Sequence, residues 1–147
     1  MSNVIVRANA ARAANLAMAL RATSFVESQT GMREASARFG AAPSSEMLEA
    51  WAQAALRDGR SDCGALSALA FVHLRDAWKA RPLDWMQLGD FAQGFVVIGR
   101  NAATEATSIR SWNPEAVICD PWRGAACPAD EAEWLMGETL GLMHRVA

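Results

Sequence analysis

The sequence predicts an α+β domain, with helices packed on a small antiparallel sheet, and three observations carry that expectation. Alanine-rich segments with apolar residues at helical spacing fill the first half of the chain. Two short apolar, β-branched runs, Phe95-Val96-Val97-Ile98-Gly99 and Ala116-Val117-Ile118-Cys119-Asp120, stand in the second half. Between them, residues 101 to 113 are polar, with one isoleucine and one tryptophan, which reads as a loop or hairpin excursion.

The elements follow in order. Residues 7 to about 29 read as helix, with Leu16, Ala19, Leu20, Ala22, Phe25 and Val26 recurring at helical spacing. Ser28-Gln29-Thr30-Gly31 punctuates it, and residues 32 to 39 form a short candidate helix before Gly40. Pro43-Ser44-Ser45-Glu46 is a helix-start signal, opening a helix to about Arg57 that is expected to bury Met47, Leu48, Trp51, Ala55 and Leu56. Asp58-Gly59 ends it. Ser61-Asp62-Cys63-Gly64 then opens another, expected to run to about Arg81, where Pro82 stops it. Leu83 to Leu88 alternates loosely as a short strand, and Gly89 to Gly94 forms a turn or strand entry. Phe95 to Gly99 is apolar on both faces, as a central strand would be. The second buried strand ends at Pro121. Glu131 to about His144 is read as a closing helix carrying Trp134, Leu135, Leu140 and Met143, with Gly137 and Gly141 counting against it.

Composition limits the functional classes. The chain is 52% hydrophobic and 20% charged, a globular balance with enough length for one hydrophobic core. One domain over residues 1–147 is expected, with a helical segment over 1–45 and the cysteine helix plus sheet over 46–147. A formal net charge of −2 offers no electrostatic case for nucleic acid or an anionic membrane. No apolar run reaches the roughly 18 residues of a membrane span. The N-terminus lacks the charged-then-apolar order of a secretory signal. Cys63, Cys119 and Cys127 are too few for a disulfide scaffold, and a reduced, cytosolic setting is the simplest reading. Zinc would need a fourth ligand and a closer pair than Cys119 and Cys127, so no metal or cofactor is expected.

Cys63 is the candidate nucleophile. Ser61 or Asp62 can cap the helix, which sets the cysteine in its first turn. There the unpaired amides and the helix dipole favour the thiolate, the reactive form. A thiol nucleophile also needs a base and a group that orients the base. Asp120 stands at a strand end, fixed by Pro121 and shielded by Trp122.

Asp62-Cys63-Gly64 opening a helix, Phe95-Val96-Val97-Ile98-Gly99 as a strand and Cys119-Asp120-Pro121-Trp122 closing the next resemble the papain-like cysteine hydrolases. The nearest variety is the Cys-His-Asp toxin and type III effector domains of bacterial pathogens, which include proteases and glutamine deamidases. The resemblance covers roughly residues 61 to 124. It implies a minimal papain-like fold and a virulence-type function on amide bonds of a host or partner protein. It also implies synthesis in a bacterial cytoplasm before export into a host cell. Residue by residue, Cys63 falls on the nucleophile and Asp120 on the orienting acid, with Trp122 as its shield. The histidine position holds Gln93, which cannot accept a proton at neutral pH. His73 lies ten positions beyond Cys63, about 15 Å along one helix, and reads as a partly buried core histidine. His144 would have to fold back. Either the domain is a natural pseudoenzyme, a protein-binding module built on this cleft, or it carries an inactivating substitution. In the second case Ala92 is another candidate for the replaced histidine, although Gln93, Phe95 and Val97 share a face that Ala92 does not.

Overall fold

The computed structural model describes residues 3–30, 45–58, 63–88 and 93–147. Three helices precede a five-stranded sheet: α1 (Asn3–Thr30), α2 (Ser45–Asp58) and α3 (Cys63–Asp76). The strands are β1 (Leu83–Leu88), β2 (Gln93–Ile98), β3 (Val117–Asp120), β4 (Ala125–Pro128) and β5 (Leu140–Val146). They lie in the order β4-β3-β2-β1-β5, and each neighbouring pair is antiparallel. The α+β expectation holds, and β2 is the central strand. The candidate helix at 32 to 39 lies outside the described residues.

Strand alternation divides the core into two layers. Leu83 and Trp85 of β1, Val96 and Ile98 of β2, and Val117 and Cys119 of β3 face the helices. There they pack against Ala19, Ala22 and Val26 of α1, Leu48 and Ala52 of α2, and Leu66, Leu69 and Phe71 of α3. The alternate residues Met86, Leu88, Phe95, Val97 and Ile118 face the other way. They are covered by Ile109 and by the short 3₁₀ turns Ala129–Glu131 and Glu133–Leu135. The helical layer is pinned to the sheet by a buried hydrogen bond from Trp85 Nε1 to Ser67 Oγ at 2.9 Å. Trp51 of α2 meets the Trp85 ring edge-on, with centroids 5.7 Å apart.

Three expectations are corrected. Helix α3 ends at Asp76, before Arg81: Ala77 and Ala80 donate back to the carbonyls of His73 and Leu74, and Lys79 takes a left-handed φ of 54°. These bonds close the helix well ahead of the proline. Leu56 of α2 is 40% exposed rather than buried. The closing helix at 131 to 144 is replaced by the two 3₁₀ turns and β5. Gly137, at φ 79°, breaks any helix there. Gly141 sits opposite Gln87 in β1, where an added Cβ would come within 3.3 Å of the Gln87 side chain. Sheet pairing satisfies the backbone of this segment better than an isolated helix holding two glycines would. Strand β4 was unforeseen, because Ala125-Ala126-Cys127-Pro128 has no strand-forming pattern of its own. The hairpin turn after β3 builds it.

Candidate functional site

Topology gathers the sequence-predicted residues at one end of the sheet. Because β2 and β3 are antiparallel, the start of β2 at Gln93 lies beside the end of β3 at Asp120. The register Val96↔Cys119 sets Asp120 opposite Phe95, which makes Gln93 its diagonal neighbour, about 7–8 Å away on the same face. Helix α3 leads by a short turn into the start of β1 and so points its own first residue, Cys63, toward this same end. Fourteen helical residues and six strand residues both span roughly 20 Å, so the helix start and the strand end are level. The capping residues Ser61 and Asp62, and the alternative base position Ala92, lie outside the described residues.

The two faces separate these residues. Gln93 pairs with Leu88, whose side chain belongs to the layer away from the helices. Gly94 pairs with Gln87 and takes the helix-facing position at this strand entry, so β2 presents no side chain there. Trp122 is half-buried against the helical layer.

Asp120 is 6% exposed. Its Oδ1 accepts the Arg123 backbone N–H at 3.2 Å, and Gly124 N–H donates to the Pro121 carbonyl at 3.1 Å. This is the side-chain-closed turn that Asp favours, and it links β3 to β4. The Arg123 guanidinium adds a charge contact to Asp120 Oδ2 at 3.8 Å and covers the Trp134 ring at 5.4 Å.

Neither histidine stands at this end. His73 lies in the last turn of α3, stacked on Phe25 of α1 with ring centroids 3.8 Å apart. His144 is on β5 opposite Trp85, with its ring edge-on to Phe71 at 5.6 Å. The other two cysteines are poor nucleophiles. Cys119 is fully buried, its Sγ 3.7 Å from the Ala19 carbonyl, and desolvation reinforced by the Asp120 charge pushes its thiol far above the ordinary range. The Cys127 thiol is pushed up to about 11, first by burial and then by Glu131, Asp130 and Asp120.

The most extensive buried polar assembly among the described residues escaped the sequence reading. Asp84, fully buried near the start of β1, accepts Arg100 Nε at 2.8 Å and Arg145 Nη1 at 2.9 Å on both oxygens. Arg145 Nη2 also donates to the Arg100 carbonyl at 3.0 Å, and Arg100 Nη1 to the Thr104 carbonyl at 2.9 Å. The one signal was a carboxylate between Leu83 and Trp85 in an otherwise apolar strand. It sits near the end of the sheet opposite Asp120, so it braces the fold rather than the candidate site.

No group of three or more metal-ligating side chains occurs among the described residues. No helix among them is long and apolar enough to cross a membrane. No family model, curated protein or solved structure matches the chain.

Proposed function

We propose that this is a domain of papain-like cysteine-hydrolase type, related in plan to protease and deamidase effectors, that lacks the catalytic base and works as a protein-binding module. The observation that carries the reading is the convergence of the α3 start, the β2 start and the β3 end at one end of the sheet. By backbone position Cys63, Gln93 and Asp120 thereby fall at that one end, with Gln93 and Asp120 on the face of the sheet away from α3. The Gln93 and Asp120 positions share a face and a diagonal spacing that a histidine at 93 could bridge.

Without a base, the Cys63 thiol holds a few per cent of thiolate at most at neutral pH. A leaving amine has no acid to protonate it, and loss of such a residue from comparable triads costs on the order of 10⁴ to 10⁶ in rate. Trp122, half-buried against the helical layer, would still offer a protein segment an apolar contact at this end.

The test is the pH profile of Cys63 alkylation, together with amide hydrolysis assays, in the unchanged chain, Gln93→His and Ala92→His. The unchanged chain is expected to be alkylated slowly at neutral pH and to hydrolyse nothing. A downward move of the profile in Gln93→His would show that a histidine there reaches Cys63 and would mark position 93 as that of the missing base. Turnover by the unchanged chain that Cys63→Ala abolishes would overturn the binding reading in favour of an active hydrolase. If both histidine variants stay inert while the protein still binds a partner, the pseudoenzyme reading stands.

A further inference from the structure

A cluster away from the candidate site joins α1 to the turn between α3 and β1. The Trp78 indole Nε1–H donates to His73 Nε2 at 3.2 Å. His73 Nε2 therefore holds the lone pair, and Nδ1 carries the proton of the neutral ring. The opposite contact of the imidazole is a near-parallel stack on Phe25, 8° from coplanar. The Arg21 guanidinium lies over the Trp78 ring at 5.1 Å, so a cation already sits on a face of the indole. Trp78 is 39% exposed, and Leu20 beside it is 51% exposed. Together with Ser24 and Ser28, these residues line a shallow surface cavity of about 480 Å³.

We propose that His73 is an acid-sensitive clasp, holding the Trp78 turn on the second half of α1 while neutral and releasing it when protonated. A proton on Nε2 converts the acceptor into a donor, which opposes the Trp78 N–H directly and breaks that bond. Among the described residues, the charged groups in contact with this cluster do not compensate. From α1, Arg21 is a like charge on the indole. At the end of α3, Asp76 is engaged by Arg75, which also pairs with Glu49 of α2, and Lys79 follows in the turn. Burial independently holds the His73 pKa below its ordinary 6.5. A histidine kept neutral by the fold contributes stability that is complete above pH 6.5 and lost as the pH falls below it. Release would uncover Phe25 and leave Leu20, Phe25 and Trp78 as one apolar surface. The clasp belongs to the α1–α3 contact and does not depend on any chemistry at Cys63.

The experiment is an indole N–H spectrum of the full chain between pH 7.5 and 5. The Trp78 resonance is identified by its loss in Trp78→Phe. It is expected to shift in a one-proton step with a midpoint below 6.5. Amide exchange along residues 20 to 28, corrected for intrinsic pH dependence, is expected to speed up roughly two- to tenfold over the same step, the worth of one hydrogen bond. His73→Gln presents a neutral acceptor at every pH and is expected to abolish both changes. His144 is the only other histidine, and His144→Gln is expected to leave both intact. An unmoved Trp78 resonance, or the same step persisting in His73→Gln, would overturn the proposal. A shifted resonance with unchanged exchange would overturn the release of α1.

Discussion

Two carboxylates near opposite ends of the sheet, Asp84 and Asp120, are both almost completely buried and yet are held in different ways. Asp84 is gripped by two guanidinium groups that come from chain positions 16 and 61 residues away. Asp120 is held at close range, by an amide and a side chain three residues on. A buried charge costs several kcal/mol unless strong partners replace its water. At Asp84 those partners tie β1, the end of β2 and β5 into one unit. At Asp120 the contacts settle a local turn and fix where a strand stops. A long-range carboxylate cluster therefore marks what the fold rests on, and a short-range one marks where a loop is placed.

The largest expected effect tests the first half of that contrast. Asp84→Ala leaves the buried Arg100 and the half-buried Arg145 guanidiniums without their anion and is expected to cost on the order of 3–5 kcal/mol, read by urea denaturation. Arg145→Met should cost less than Arg100→Met, because Arg145 is 19% exposed and Arg100 only 3%. Equal losses would mean that the three charges do not act through burial. Asp120→Ala should cost less, on the order of 1–3 kcal/mol, because it removes a turn hydrogen bond together with the carboxylate's other contacts. Made in the Gln93→His background, it should also reverse any downward shift of the Cys63 titration. A stability loss as large as that of Asp84→Ala would erase the contrast. The smallest effect is chemical. The alkylation rate of Cys127 should rise about tenfold per pH unit and level off only near pH 11, with Cys119 unreactive in the folded protein. A plateau near pH 8.5 would mean that Cys127 is not screened by burial and its acidic neighbours.

The legible parts of this chain were those whose cause is local. Phe95 to Ile98 declared a central strand through β-branching and two-sided apolarity. Cys63 declared a helix start through the polar residues before it and the apolar run after it. The residues between 131 and 146 misled because Leu135, Leu140 and Met143 also fit a helical period. What decides that segment is the vacant edge of β1, which no local pattern encodes. The Asp84 cluster was hidden for the same reason, since its three members meet only after β5 has paired. At the candidate site, the chain itself marked Cys63 at a helix start and Asp120 at a strand end, and only the resemblance to papain-like hydrolases pointed to Gln93. That Gln93 and α3 lie on different faces depends on the β1–β2 register, and became clear only with Leu88 opposite Gln93.

The strand order β4-β3-β2-β1-β5 also sets a schedule for assembly. Strand β1 gains β2 across a short hairpin, but its other partner is synthesised only after β3 and β4. Closing a loop that brings Arg145 to Asp84, 61 positions away, costs entropy that a hairpin does not. Until that closure, one edge of β1 offers unpaired backbone to any strand that meets it, with a carboxylate nearby still lacking one of its cations. The arrival of β5 therefore seals a sticky edge and neutralises a stranded charge in one step, and a nascent chain stopped short of Arg145 would carry both liabilities at once.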